Sequence, residues 1–195
     1  MSIFRNPQRH YCGSLREEHI GQRVTVCGWC ARMRDLGGLI FIDLRDREGI
    51  VQCVFDEADN KELFDLAFTV RSEFTLKIEG VVRQRSSIND KIPTGRIEIL
   101  ADSLEIYEKA DTPPFEISDD AVVNDALRLK YRYLDLRRPS LQRAIALRHR
   151  IAHVARQYFD EQGFLEIETP MLTKSTPEGA RDYLVPSRVH PGEFY

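Results

Sequence analysis

The fold is decided by the stretch from Arg23 to Phe55, which reads RVTVCGWCARMRDLGGLIFIDLRDREGIVQCVF. In its first part, the apolar side chains of Val24 and Val26 alternate with polar ones, which is typical of a β-strand with one buried face. The pair Gly37-Gly38 and the charged run after Leu44 are turn signals. The stretch therefore predicts three successive strands: Arg23–Asp35, Leu39–Leu44 and Ile50–Phe55.

The residues that follow complete the pattern of a small β domain. Apolar side chains recur at helical spacing through Lys61–Arg71, which predicts a short helix. Two further strands are predicted at Phe74–Val82 and Arg96–Ile106. Three strands, a helix and two strands are the element order of the five-stranded OB-fold barrel. Because such barrels bind single-stranded nucleic acid on an open face of strands, this region is a candidate nucleic-acid-binding domain.

The chain changes character at Ala110–Asn124, which contains two adjacent prolines and four acidic residues but no Lys or Arg, as linkers often do. A helix is predicted from about Asp125, and a longer one begins at Pro139 and is closed by Gly163. Strands are predicted at Phe164–Glu168 and Tyr183–Val185. The fold class is therefore β plus α+β, with an OB-fold domain over 1–109, a linker or hinge over 110–138, and a second domain starting over 139–195.

The composition is that of an ordinary globular protein: 195 residues, 42% of them hydrophobic and 30% charged, with a formal net charge of −3. No apolar run reaches the roughly 18–20 residues that a membrane helix needs, and the N-terminal residues lack the apolar core of a secretory signal. We therefore expect a cytoplasmic protein whose four cysteines are reduced. Because the net charge is slightly negative, nucleic-acid binding must depend on local basic clusters.

One set of basic, aromatic and amide side chains in the predicted OB-fold domain suits unpaired RNA bases. An aromatic ring can stack on a base, guanidinium groups can hold phosphates, and amide or carboxylate groups can contact base edges. The alternative is a ring in the core and charges that are merely solvated, and the pattern alone favours neither interpretation. The residues are Arg32, Arg34, Phe41, Gln52, Arg85 and Glu98.

Two patterns that suggest redox or metal chemistry are weaker. Cys27-Gly28-Trp29-Cys30 is a CxxC pair, but a redox pair needs a helix N-terminus and this one lies in a predicted strand. A zinc site needs a second close pair, and Cys12 and Cys53 are isolated. His149 and His153 share a helical face without a third ligand. Ordinary packing is the favoured interpretation of both patterns.

Two basic features are open to both a ligand-binding and a structural interpretation. Arginines concentrate along the long helix and just before it, where they suit either RNA phosphates or the polar face of an interface helix. Periodicity favours the interface. The turn Thr176–Arg181 brings together a carboxylate and a guanidinium that suit a zwitterionic ligand, although a surface turn is the simpler interpretation. The arginines are Arg137, Arg138, Arg143, Arg148, Arg150 and Arg156.

Three strings in the second half of the chain carry a family signature. They are LKYRYLDLRRP at Leu129–Pro139, FLEIETP at Phe164–Pro170 and STPEGARDYLVPSR at Ser175–Arg188. The first resembles the start of the catalytic domain in class II synthetases of the aspartyl group, and the second resembles the strand of class II motif 1. The third is similar to bacterial-type aspartyl-tRNA synthetases, as are Tyr11–Gly13 and Leu39–Gln52. The resemblance covers nearly the whole chain, and it identifies the last predicted region as the start of a class II catalytic domain.

The resemblance implies that the OB-fold domain binds the anticodon of a tRNA. Phe41 would stack on the central anticodon base, Gln52 would lie at the edge of that base, and Glu98 would contact the first anticodon base. The tRNA would be held by its anticodon stem-loop, and the hinge would touch it between its two ends. Contacts to the RNA backbone or neighbouring bases would come from Arg32, Arg34, Arg71, Arg85 and, in a shortened loop, Asn89.

For the second region the resemblance implies a dimer interface and an amino-acid site. The helix and strand of motif 1, closed by Pro170, would form a homodimer, and Glu178 would pair with the α-ammonium group of aspartate. Leu36 lies where relatives of relaxed specificity often carry His, which favours charging of the aspartate tRNA without the asparagine tRNA. The mobile loop that closes over the amino acid would include Lys174, Thr176, Pro177, Gly179 and Ala180.

The implied reaction is ATP-dependent aspartate–tRNA ligation, with Mg²⁺ as the metal of the full-length enzyme. The aspartate carboxylate would attack the α-phosphate of ATP, and the 3′-terminal adenosine of the tRNA would attack the mixed anhydride. In the family, the ATP-contacting motifs 2 and 3 follow the region that these 195 residues cover. We therefore expect this chain alone to bind no cofactor and to form no aspartyl-adenylate. The alternative is a stand-alone OB-fold module that binds single-stranded nucleic acid without ligase activity.

Overall fold

The structure is a computed structural model that describes residues 9–173 and 183–194. Its strands are β1 (Arg9–His10), β2 (Arg23–Asp35), β3 (Leu39–Arg45), β4 (Ile50–Asp56), β5 (Thr75–Gln84) and β6 (Ile97–Glu108). Its α-helices are α1 (Lys61–Phe68), α2 (Asp125–Lys130), α3 (Arg132–Asp135) and α4 (Pro139–Glu161). Two short 3₁₀ turns, Cys12–Ser14 and Glu17–His19, connect β1 to β2.

Five of the strands close into a ring. β2 pairs with β3, β3 with β4, β4 with β6 and β6 with β5, and β5 pairs back with β2. These pairs are antiparallel except for β4–β6, and the short β1 adds in parallel to β2. The predicted OB-fold order is confirmed, with strand ends within two residues of the prediction.

The core of the ring is built by the alternation seen in the sequence. Val24, Val26 and Cys30 of β2 point inward and are buried, as are alternate residues of β3. Beyond Cys30 a bulge shifts the register of β2 before Arg32. Gly28 lies so close to β3 that a Cβ atom there would overlap the carbonyl oxygen of Arg45. The ring can therefore close at this point only with glycine.

Helix α1 packs on β3, β4 and β6 through two buried side chains. Asn60 caps its N-terminus, because the side-chain oxygen of Asn60 accepts a hydrogen bond from the Leu63 N–H at 3.0 Å. The sequence predicts a helix extending to Arg71, but the helix ends at Phe68. The Arg71 side chain instead donates to the carbonyl oxygen of Phe68 at 2.7 Å, which satisfies one of the last free carbonyls of the helix.

The predicted hinge contains two short helices in place of the one expected from Asp125. Asn124 caps α2 by accepting a hydrogen bond from the Ala126 N–H at 2.8 Å. The helix breaks at Tyr131, whose backbone leaves the helical region at φ −109° and ψ 47°. The chain then turns again through α3 before Pro139 starts the long helix at its predicted position.

The carboxylate of Asp135 ties these hinge helices together. It is fully buried at the end of α3. It accepts hydrogen bonds from Arg128 Nε at 3.0 Å and Arg132 Nη1 at 2.6 Å, and Arg138 Nη1 lies 3.6 Å away. Burial by itself raises the pKa of the Asp135 carboxyl, but the hydrogen bond from Arg128 and the arginine charges outweigh it. The pKa of Asp135 is therefore below its usual value.

Replacing Asp135 with asparagine is expected to destabilise the folded chain and to flatten its response to acid. Because the pKa of Asp135 is lower in the folded chain than in the unfolded one, its contribution to stability is present above about pH 4. That contribution is lost as the pH falls through the folded-state pKa. We expect the urea-unfolding free energy of the wild type to fall more steeply than that of Asp135→Asn between about pH 5 and about pH 2.

The matched control for this experiment is Asp125→Asn. Asp125 also pairs with Arg128, at 3.2 Å, but its side chain is 88% exposed. An exposed pair of this kind contributes little to stability, so the acid response of the control should follow that of the wild type. Parallel curves for the wild type and Asp135→Asn would contradict the assignment of a stabilising role to the buried carboxylate.

The chain divides into two compact units, Met1–Ala144 and Ile145–Tyr195. In the second unit, the long helix is closed at Gly163 as predicted, with a φ of 81° that suits glycine. The Phe164 N–H donates back to the carbonyl oxygen of Phe159 at 3.0 Å, which completes the cap. None of the described helices combines the length and apolar character needed to cross a membrane.

The strands predicted at Phe164–Glu168 and Tyr183–Val185 do not form in the described residues. The one β-bridge recorded in this part of the described chain joins Pro186 to Phe194. A strand needs a neighbour for its backbone hydrogen bonds, and the described segments of this unit supply none. Helix α4 carries an apolar stripe whose members Ile145, Leu147, Ile151, Val154 and Tyr158 are exposed.

Candidate nucleic-acid interface

The predicted base-stacking residue lies on the outer face of β2, β3 and β4. Phe41 pairs in register with Arg34 on β2 and Val54 on β4. Its neighbours Ile40 and Ile42 are fully buried in the core, whereas Phe41 is half-buried on the opposite face. The guanidinium carbon of Arg34 lies 5.7 Å from the centroid of the Phe41 ring. The ring is therefore not part of the core, which removes the structural alternative for Phe41.

Beside this ring, five polar side chains form a continuous hydrogen-bonded row that we call the face network. Arg34 Nη2 donates to Asp43 Oδ1 at 2.9 Å and to Gln52 Oε1 at 3.1 Å. Gln52 Nε2 donates to Glu98 Oε2 at 2.8 Å. Arg83 Nε donates to Glu98 Oε1 at 2.8 Å. Each of the five ring strands contributes one member.

Strand register places the members of the face network side by side. Asp43 is opposite Gln52 across β3–β4, and Arg83 is opposite Glu98 across β5–β6. Gln52 and Glu98 are only 3% and 5% exposed, so their polar groups depend on partners within the network. A planar ring next to a row of oriented donors and acceptors is the combination that unpaired bases require.

Asp43 and Arg83 are members of the network that the sequence did not single out. The alternation of apolar and polar residues along β3 and β5 places both side chains on the outward faces of their strands. That pattern becomes specific only once the strand partners are known, because a charged residue on an outward face is ordinarily solvated. Asp43 lies opposite Gln52 and Arg83 opposite Glu98, and the two pairs are joined only by the contact between Gln52 and Glu98, which are 46 residues apart in the sequence.

The other predicted RNA contacts are placed differently from one another. Arg32 is exposed on β2, in register with Asp43. Arg85 is half-buried just after β5, and Asn89 lies in the following loop, where its side-chain oxygen accepts a backbone hydrogen bond. The side chain of Arg71 is engaged with the end of α1. The face network therefore brings together Arg34, Gln52 and Glu98, beside Phe41, and does not include these four residues.

The remaining predicted site residues belong to other parts of the chain. Leu36 lies in the turn before β3 and is 67% exposed. Pro170 is exposed and follows the segment that forms no strand. The amino-acid residue Glu178 and the predicted loop members Lys174, Thr176, Pro177, Gly179 and Ala180 lie outside the described residues.

A second cluster connects the hinge to the ring, and we call it the Glu73 clamp. Both carboxylate oxygens of Glu73 accept hydrogen bonds from Arg45 Nη2 at 2.8 Å, and Arg137 Nη1 donates to Oε2 at 2.7 Å. The guanidinium carbon of Arg137 lies 4.3 Å from the ring centroid of Trp29. Arg137 follows α3 in the hinge, whereas Trp29 lies on β2, Arg45 ends β3 and Glu73 precedes β5, so the clamp fastens the hinge to three parts of the ring domain.

The backbone of Glu73 shows how tightly this clamp is held. Its φ of 64° lies in the left-handed region that non-glycine residues rarely adopt. Its N–H donates to the carbonyl oxygen of Cys30 at 2.8 Å, and only 4% of the residue is exposed. A cavity of about 460 Å³ opens beside it, lined by Trp29, Tyr131 and Pro113 among others. Sequence inspection did not single out Glu73, because its partners come from distant segments.

The cysteine and histidine patterns lie within regular secondary structure. Cys27 and Cys30 lie within β2 and not at a helix N-terminus. Burial raises the pKa of the Cys30 thiol to about 12, which keeps it protonated and unreactive at neutral pH. The rings of His149 and His153 stack 6.3 Å apart on α4. Among residues 9–173 and 183–194, no group of three or more His, Cys, Asp or Glu side chains could hold a metal ion.

The arginine run around α4 divides into paired and exposed members. Arg137 belongs to the Glu73 clamp, and Arg138 donates to the carbonyl oxygen of Asp119 at 2.9 Å. Arg156 pairs with a glutamate after the helix at 2.8 Å. Arg148 and Arg150 are exposed. The residues nearest the hinge thus have structural partners, and the exposed pair keeps both interpretations that the sequence allowed.

Two family models match the chain, one over the five-stranded ring and one over the residues that follow it. The model described as "OB-fold nucleic acid binding domain" matches residues 24–107. The model described as "tRNA synthetases class II (D, K and N)" matches residues 124–195. Residues 24–107 are therefore similar to OB-fold nucleic-acid-binding domains, and residues 124–195 are similar to class II tRNA synthetases.

Among the class II synthetases, the curated relatives that the chain resembles are named aspartate–tRNA ligases. The chain is 60% identical over 188 residues to the aspartate–tRNA(Asp/Asn) ligase of Symbiobacterium thermophilum, a match that covers 95% of this chain and 32% of that protein. It is 56% identical over 196 residues to the aspartate–tRNA ligase of Ruminiclostridium cellulolyticum, covering 100% and 33%. The chain thus spans about a third of the length of these curated relatives.

The fold likeness extends to solved structures. The asparaginyl-tRNA synthetase from Pyrococcus horikoshii complexed with asparaginyl-adenylate matches this chain with a TM-score of 0.78 at 25% identity. The match covers 92% of this chain and 41% of that one. The fold of this chain is therefore similar to that of a class II synthetase.

Proposed function

We propose that this chain supplies the anticodon-binding domain, the hinge and the start of the catalytic domain of an aspartate–tRNA ligase. The proposed boundaries are those predicted from the sequence, 1–109, 110–138 and 139–195. The observation that carries the proposal is the face network beside the half-buried ring of Phe41. It supports recognition of unpaired bases, because it offers a stacking surface and oriented hydrogen-bond groups at one place.

In this proposal Phe41 stacks on the central anticodon base and the Gln52 amide meets the edge of that base. Glu98 contacts the first anticodon base, and Arg34 holds the network in place. Exposed Arg32, together with Arg85 and Asn89 beyond β5, would contact the RNA backbone or neighbouring bases. Arg71 can take part only by releasing its hydrogen bonds to the end of α1.

The proposed reaction of the full-length enzyme joins aspartate to the 3′-terminal adenosine of tRNA through aspartyl-adenylate. ATP and Mg²⁺ would supply the activated phosphate and neutralise the charge that develops on it. Glu178 would hold the α-ammonium group of aspartate. Remote binding at the anticodon would position the acceptor end for reaction.

The proposed assembly is a cytoplasmic homodimer formed through motif 1. The apolar stripe of α4 supports this, because exposed apolar side chains along one helix are costly unless a partner covers them. Leu36 is proposed to favour the aspartate tRNA over the asparagine tRNA.

A binding titration tests the anticodon proposal directly. We expect this chain to bind the anticodon stem-loop of the aspartate tRNA about tenfold more tightly than a mixed-sequence single strand of equal length, since oriented groups discriminate between bases. The logarithm of the association constant should fall linearly with the logarithm of salt concentration for both ligands. Equal affinity for both would favour the stand-alone single-strand-binding module in its place.

A further inference from the structure

We propose that Asp43 and Arg83 are positioning residues that set which side of the Gln52 amide donates and which accepts. By doing so they make the site choose between the two pyrimidines, uracil and cytosine, at the central anticodon base. The inference rests on the proposed anticodon function and deepens it. It concerns residues to which the family resemblance assigns no role.

The two hydrogen-bond partners of the Gln52 amide fix its orientation. Rotating a carboxamide by 180° hardly changes its shape but exchanges its donor and its acceptor. Here Oε1 accepts from Arg34 and Nε2 donates to Glu98. A guanidinium has only donors and an ionised carboxylate has only acceptors. The reversed amide would face donor with donor and acceptor with acceptor, so its two neighbours allow a single orientation.

Each of these two neighbours is held by a further charged side chain. Arg34 Nη2, the nitrogen that donates to Gln52, also donates to Asp43 Oδ1 at 2.9 Å. The Glu98 carboxylate is held at its other oxygen by Arg83 Nε, at 2.8 Å. Because Glu98 is nearly fully buried, loss of Arg83 would leave a buried carboxylate whose only remaining hydrogen-bond partner in the network is the amide. The row therefore has a fixed polarity from the acid on β3 to the arginine on β5.

The fixed Gln52 amide can distinguish bases by the donor and the acceptor that it still offers. After its two contacts within the network, the amide of Gln52 keeps one N–H and one oxygen lone pair. Uracil offers a carbonyl acceptor next to an N–H donor, whereas cytosine offers an amino donor next to a ring-nitrogen acceptor. At one placement of the base, one amide orientation suits uracil and the reverse suits cytosine. Since the middle letter of aspartate codons is A, the cognate central base is uracil.

The test compares two anticodon stem-loops of the aspartate tRNA that differ only in a central U or C. For the wild-type chain we expect a preference for U of about tenfold or more, the usual scale for a two-point base contact. For Arg83→Met the preference should fall below about threefold. Arg83→Lys, which restores a cation next to Glu98, should recover most of it. A general weakening of the fold would reduce both affinities alike and leave their ratio unchanged.

The matched control is Arg23→Met. Arg23 is an outward-facing arginine at the opposite end of β2 that also pairs with an acid, Asp102, but it has no link to Gln52. It should lower both affinities equally and preserve the U-over-C ratio. An unchanged ratio in Arg83→Met would overturn this inference while leaving the proposed function intact. Failure of the wild type to prefer the stem-loop at all would overturn the proposed function itself.

Discussion

Replacing Glu73 with alanine is expected to lower the free energy of unfolding by about 3–5 kcal/mol, the usual cost of breaking a buried ion pair from one side. The carboxylate receives three hydrogen bonds from Arg45 and Arg137. The side chain of Arg45 is only 10% exposed, so without Glu73 its charge would remain buried and uncompensated. The conservative variant Glu73→Gln keeps the size of the side chain but removes its charge, and it should show most of the same loss.

The position of the only tryptophan makes this effect visible by fluorescence. Trp29 lies under the guanidinium of Arg137, so opening of the Glu73 clamp changes the surroundings of the indole. We expect the emission of the Glu73→Ala chain to shift to longer wavelength under native conditions, because the ring becomes more exposed to water. Denaturant titration followed by circular dichroism gives the accompanying change in unfolding free energy.

A surface glutamate on β5 supplies the control for this experiment. Glu79 pairs with Lys77 at 2.9 Å and with Arg23 at 3.5 Å, but it lies at the surface of the sheet. Removing such an exposed pair costs about 1 kcal/mol or less. If Glu73→Ala were no more destabilising than Glu79→Ala, the clamp would not be a principal support of the hinge.

Replacing Phe41 with alanine is expected to weaken binding of the anticodon stem-loop by about 1–3 kcal/mol, which corresponds to about 5- to 150-fold in the dissociation constant. The ring lies on the outer face of β3, beside the face network and outside the core, which leaves it available for stacking. Since the gain from stacking depends on a planar π surface, Phe41→Tyr should retain most of the affinity and Phe41→Leu should not.

The measurement is a fluorescence titration with a labelled stem-loop, accompanied by the melting temperature of each variant. The matched control is Phe68→Ala, which removes a 49% exposed phenylalanine from helix α1, away from the face network. It should leave the affinity unchanged. A loss in Phe41→Ala no larger than that in Phe68→Ala would mean that no base stacks on this ring.

Strands β2 to β6, the start of helix α2 and both ends of helix α4 were predictable because their causes are local. Alternation through the stretch from Arg23 to Phe55 reflects a two-residue strand period, and it requires no knowledge of partners. The cap at Gly163 depends on a backbone conformation that glycine adopts most readily. Helix α1 was predicted too long because propensity does not reveal that Arg71 turns back to the helix end.

The two strands predicted in the second unit do not form in the described residues, because their formation does not depend on local causes alone. Phe164–Glu168 has the composition of a strand, but strand formation depends on a neighbouring segment to receive its hydrogen bonds. The described part of the chain provides no such neighbour there. Composition indicates a tendency to form a strand, and pairing with a neighbouring segment decides whether the strand forms.

By itself the sequence determined the order of the elements in the ring, the family resemblance and the main candidates for base recognition, Phe41, Gln52 and Glu98. These follow from short-range periodicity and from strings long enough to identify relatives. The tertiary structure alone decided that Asp43 and Arg83 complete the row around Gln52, and that Glu73 receives both Arg45 and Arg137. The physical reason is that hydrogen bonds and ion pairs act over about 3 Å in space and are independent of separation along the chain. Only closure of the ring, and packing of the hinge against it, brings those side chains within that distance.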